Sequence, residues 1–146
     1  MKSTGKITRV RLRVDSNDGF IILGLVSSEP DYKLSLALNR KFGISLRNGT
    51  PVKAEGEDGS DIQFSRFDYH EESSDRTYNL VSNRSGSQYL IKKLKNIDYL
   101  LAYHDPENVY STGQFITGIK ATAGVTAVFP VSPETLKDKN LELVMH

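Results

Sequence analysis

The chain has 146 residues, a length that suits one domain and is long enough to bury a core without covalent staples. It contains no cysteine, which excludes a disulfide framework, a thiolate metal site and a cysteine nucleophile, and which fits a reducing cytoplasm. Nineteen Lys and Arg stand against eighteen Asp and Glu, so no global field draws the chain to nucleic acid or anionic lipid.

The start, "MKSTGKITRVRLRVD", is basic but lacks the apolar core of a signal peptide, and no run approaches the roughly 18 apolar residues of a membrane span. A cytoplasmic protein with no membrane association is therefore expected. Within the start, "RVRLRV" (9–14) alternates strictly, placing Val10, Leu12 and Val14 opposite Arg9, Arg11 and Arg13. This predicts a half-buried edge strand whose charges discourage stray pairing. "DSNDG" (15–19) has hairpin-turn chemistry, and "FIILGLV" (20–26) reads as the second arm, apolar on both faces and therefore central.

Ser28 and Asp31 have the spacing of a capping pair around Pro30, and Leu34, Ala37, Leu38 and Phe42 recur at helical spacing up to Gly43. A core-facing helix is predicted there. Turn residues cluster over 44–61, where the acidic "EGEDGSD" departs from a calcium loop in its opening, length and final residue. "DIQFSRFDYH" (61–70) and "RTYNLVSN" (76–83) form a second expected hairpin. After the break at "SGSQ" (85–88), "NIDYLLAYH" (96–104) reads as an interior strand, with Ile97, Tyr99, Leu101 and Tyr103 on one face and Leu100 and Ala102 on the other.

Asp105, Pro106 and Glu107 mark a second helix start, with Val109, Thr112, Ile116, Ile119 and Ala123 as its buried stripe and Gly113 and Gly118 as weak points. "VTAVFPV" (125–131) supplies another strand, "SPETL" (132–136) has the form of a helix start, and the remainder reads as a tail or a short edge strand. The order predicts one α+β domain over 1–146: a ferredoxin-like βαββαβ sandwich with an additional N-terminal strand and an extra middle strand.

Catalytic patterns do not emerge from the residues. His70, His104 and His146 show no HxH or HExxH spacing, no GxSxG occurs, and "GKI" is no phosphate loop, so neither a metal, a cofactor nor a catalytic residue is expected. Phe64, Phe67 and Tyr69 lack the spacing of an RNA-recognition platform and are expected to pack inside.

The most distinctive stretch is "IKKLKNIDY" (91–99). Ile91, the three spacers 94–96, Ile97 in place of valine, Asp98 and Tyr99 resemble the motif of the bacterial IPExxxVDY family, with Lys92 and Lys93 replacing its proline and glutamate. "DYKLSLALNRKFGISL" (31–46), "FSRF" (64–67) and "YNLVSN" (78–83) look like further blocks of that family in the same order. The resemblance implies a bacterial protein whose biochemical role is unassigned. Read physically, Ile91 and Leu94 anchor an approach segment that its lysines keep in water. Asp98 is expected to lie opposite Ile97 and Tyr99, accepting turn N–H groups or pairing with an arginine such as Arg66. Arg66, Asp98 and Tyr99 are the candidate recognition or structural residues.

The function this suggests is a non-catalytic interaction module that self-associates through its sheet, because apolar residues on both faces leave one without a helix to cover it. A homodimer and a further protein partner are consistent with that. An ACT-like small-molecule sensor, suggested by the "IKATAGVTAVFPV" (119–131) junction, is the alternative, and an RNA-binding domain is the second; nucleic acid is otherwise not expected as a partner.

Overall fold

β1 (Ile21–Val26) is the central apolar strand, as expected, and both of its edges are occupied in a computed structural model that describes residues 19–146. One edge pairs with β9 (Tyr99–His104) and the other with β10 (Ala127–Val131), both antiparallel. The second arm of the expected N-terminal hairpin thus finds its partners more than seventy residues away, while its first arm, 9–14, lies outside the described residues. β9 continues the sheet to β6 (Arg76–Ser82), which forms a hairpin with β5 (Arg66–Glu71), and the short β2 (Arg47–Asn48) ends it. The order is β10-β1-β9-β6-β5-β2, with every neighbouring pair antiparallel.

One face of this sheet carries two helices. In α1 (Asp31–Phe42), Leu34 and Leu38 are buried against Leu23, Leu25 and Leu101, and Gly43 closes the helix at φ 66° with its N–H on the Asn39 carbonyl at 2.8 Å. The expected Ser28 cap is not made. Pro30 holds the N-cap position, the Asp31 carboxylate accepts the adjacent Tyr32 N–H, and it is Ser27 whose hydroxyl accepts the Glu29 N–H. In α2 (Thr112–Lys120), Phe115 and Ile119 are the buried residues. The helix starts six residues later than Pro106, because Ser111 and Gln114 form a reciprocal capping box and because the Asp105 carboxylate is taken by the Tyr103 hydroxyl and the Tyr110 N–H. Val109, expected in the buried stripe, is therefore exposed. Gly118 allows a close approach, but to α1 and not to the sheet: a Cβ there would lie 2.9 Å from the Phe42 ring.

The opposite face is covered by the chain itself. "DIQFSRFDYH" is two strands, not one. β4 (Asp61–Phe64) turns back on β3 (Val52–Glu55), and only after Ser65 does β5 join the main sheet. Val52 and Phe64 of this hairpin, Leu90 and Ile91 from the segment after β6, and Leu141, Val144 and Met145 of α4 (Leu141–Met145) bury Ile22, Val81, Leu100 and Ala102. Between β6 and β9 lies the small hairpin of β7 (Arg84–Ser85) and β8 (Gln88–Tyr89), turned at Gly86. "SPETL" does start a short helix, α3 (Pro133–Leu136), capped by Ser132, whereas the residues after it, read as a tail or edge strand, form the helix α4, which contributes three buried apolar side chains. At about 1.5–3 kcal/mol for each large side chain fully withdrawn from water, this second layer contributes on the same scale as the helical one. Among the described residues, no helix is long and apolar enough to cross a membrane.

Candidate functional site

Asp98 and Tyr99 do come together, and what they hold is the connection from β1 to α1. Asp98 Oδ2 accepts the Ser27 N–H at 2.9 Å, Oδ1 pairs with Arg84, and the Tyr99 hydroxyl donates to the Glu29 carbonyl at 2.6 Å. The expected arginine is corrected from Arg66 to Arg84. Arg66 sits at the start of β5 and pairs with Asp68 two residues along its own strand, Nε to Oδ2 at 3.4 Å. Arg84 suits Asp98 because the β7–β8 hairpin brings it there, with its guanidinium also lying 5.8 Å from the centre of the Tyr89 ring.

Ile97 also departs from the alternation. Tyr99, Leu101 and Tyr103 face the helices, whereas Ile97 joins the opposite layer, because β9 begins only at Tyr99 and the chain turns as it enters the strand. Ile97 lies over Gly24, where a Cβ would come within 3.0–3.1 Å of three of its side-chain atoms. A glycine in the middle of a central strand is thereby explained: it makes room for the motif's isoleucine.

A residue with no motif to mark it, Asn83, organises the approach segment. Asn83 is fully buried. Its Nδ2 donates to the carbonyls of Leu94 and Ile97, both at 2.9 Å, and its Oδ1 accepts the Ile91 N–H at 2.8 Å. Its own N–H goes to the Asp98 carbonyl, and its carbonyl accepts the Leu90 N–H. One amide thus satisfies the backbone of a segment that belongs to no ladder of the main sheet. The sequence signal was an asparagine ending an apolar strand just before a stretch with no regular pattern.

Held in this way, 93–97 forms one wall of a groove of about 490 Å³ against β10 and α3. Leu94, Ile97, Phe129, Pro130, Val131 and Leu136 supply its apolar lining. Phe129 is 46% exposed although it lies on a sheet strand. The polar members of the lining are Lys93, Asn96, Ser132 and Thr135. Lys92, Lys93 and Lys95 are exposed, as expected.

A second polar cluster closes the far end of the sheet. Arg76 is only 9% exposed; it pairs with Glu71, donates to Ser74 at 3.3 Å and to the Tyr78 hydroxyl at 3.4 Å, and lies 5.7 Å from the centre of the Tyr110 ring. Burial pushes the Asp105 carboxyl up, but the N–H groups of Tyr110 and Val109, the Tyr103 hydroxyl and Arg76 outweigh it, so the group lies below its ordinary value. Burial raises Tyr78 and Tyr99 from 10.0 to about 12, and Tyr103 goes higher still because Asp105 adds to its burial. A tyrosine whose folded pKa exceeds its unfolded one stabilises the fold fully below the unfolded value and loses that contribution as pH rises through the folded one. Denaturant stability is thus expected to fall steadily from pH 10 to pH 12, with tyrosinate absorbance appearing as the chain unfolds. An unfolding midpoint constant across that interval would show that these hydroxyls are not protected. The cluster joins the β5–β6 turn to the loop before α2.

Phe64 is buried and Phe67 and Tyr69 pack on the helical side, in keeping with an interior role. Among the described residues, no group of three or more His, Asp or Glu is placed to hold a metal ion. No protein-family model matches the chain, and no curated protein matches it either.

Proposed function

We propose that the chain is a non-catalytic binding module that acts through the groove beside β10. The observation that carries this reading is Phe129, a large aromatic side chain left 46% exposed in a mostly apolar cleft of about 490 Å³, opposite a wall that Asn83 and Asp98 hold in fixed shape. A preformed apolar cleft with a few polar groups at its margin is the usual form of a binding site, and an exposed apolar patch of this kind marks association. Self-association through an open sheet face loses its motive, since the chain covers that face itself; pairing between copies enters this proposal only by way of the groove.

The fold reading belongs with it. Four strands in the order β10-β1-β9-β6, with α1 after β1 and α2 after β9 on one face, support a ferredoxin-like core to which β5 and β2 are added and whose second face carries an extra layer. Membership of the IPExxxVDY family is likewise proposed, supported by the contacts made at 97–99: Ile97 over Gly24, Asp98 on Ser27 and Tyr99 on Glu29.

The test is selection of a random peptide library on the full-length protein. Peptides with apolar cores are expected to be enriched, and to lose binding to Phe129→Ser and to Leu136→Asp, with circular dichroism establishing that each variant folds. Absence of enriched peptides, or equal binding to both folded variants, would remove the groove as the working surface.

A further inference from the structure

Resting on that reading, we infer that the groove takes an apolar peptide segment of a separate protein, flanked by acidic residues. The rim has one sign of charge: the lining includes Lys93 and no carboxylate. The Lys93 ammonium donates to the Leu136 carbonyl at 3.3 Å, which fixes a cation at the groove's edge with N–H groups to spare. Among the described residues Lys93 has no acidic partner within 4.0 Å, whereas Lys92 and Lys95, exposed on the same segment, line other pockets. An apolar cleft with an unpaired lysine at its edge selects side chains that fill it and a carboxylate that meets that lysine.

Occupants from the chain itself fit this rim less well. The first thirteen residues hold five basic side chains and no acidic one, the wrong sign for a lysine margin. The acidic 55–61 turn of a second copy has the right sign, but its apolar neighbour Ile62 packs into its own core. The mode of docking follows from Pro130. Without an N–H, it weakens β10 as a template for an added strand, so side chains filling the cleft, and not a continued ladder, carry the contact.

The experiment uses the selected peptides, remade with each acidic flanking residue replaced by its amide, and measures their affinity for the full-length protein at low and high salt. The acidic forms are expected to be enriched and to bind about two- to five-fold more tightly per carboxylate, the range of an exposed ion pair. Salt and Lys93→Ala, a change at an exposed position, are expected to erase the difference. Peptides that bind through Phe129 with no acidic preference overturn this inference and leave the binding module standing. Failure to enrich any peptide removes both. Concentration-dependent self-association abolished by Phe129→Ser also overturns it, assigning the groove to a second copy.

Discussion

Replacing Asn83 by alanine is expected to destabilise the protein by about 3–5 kcal/mol, a large effect for a single polar truncation. The substitution strands the Ile91 N–H, deprives the Ile97 carbonyl of its side-chain donor and leaves the Leu94 carbonyl with the Ile97 N–H alone. Each buried group left without a partner typically costs about 1–3 kcal/mol, reduced where water can enter. Against a total stability of roughly 5–15 kcal/mol for a domain, that is a large share. Urea melts read the total, and hydrogen exchange at Ile91 and Leu90 reads the site. Lys92→Ala, on the exposed side of the same segment, is the control and should stay within about 0.5 kcal/mol. A loss under about 1 kcal/mol for Asn83→Ala would mean that the segment finds its conformation without the amide.

Asp98→Ala is expected to cost about 1–3 kcal/mol, and most of that should come from one of its two contacts. The Ser27 N–H belongs to a residue only 5% exposed and has Asp98 as its acceptor, whereas the Arg84 side chain is half exposed. Exposed ion pairs contribute little, so Arg84→Ala should cost under about 1 kcal/mol. Asp98→Asn, which keeps an oxygen for Ser27, should resemble Arg84→Ala more than Asp98→Ala. Denaturant melts of the three variants decide between acceptor and ion pair. Equal losses for alanine and asparagine would show that charge pairing, not the turn N–H, is what the carboxylate provides.

The elements with strong periodicity were legible before any coordinates. The stripe of α1 with Gly43 as its stop, the central apolar β1 and the β5–β6 hairpin all follow from local spacing. Other features depended on contacts that spacing does not encode. Asp105 looked like a helix cap because the sequence cannot show that Tyr103 and Tyr110 reach its carboxylate first. Arg66 is one arginine that the sequence offers to Asp98, and the two-residue strands that deliver Arg84 instead are too short to leave a periodic trace. Covering of the second face was missed for a related reason. The layer is assembled from a hairpin, an irregular segment and a five-residue helix, each too short to announce an apolar face by itself.

The strand order also constrains how the chain emerges from a ribosome. β1 ends at Val26, yet its two neighbours are β9 and β10, beginning at Tyr99 and Ala127, so the chain must be made past Ala127 before both of its edges are paired. Until then a run of Ile, Leu and Val presents unsatisfied backbone groups, along one edge even after β9 has formed, the condition under which nascent chains recruit one another. Closing such long loops slows folding as well. β10 therefore completes the pairing of β1, and a chain arrested before Ala127 exposes this apolar strand along one whole edge.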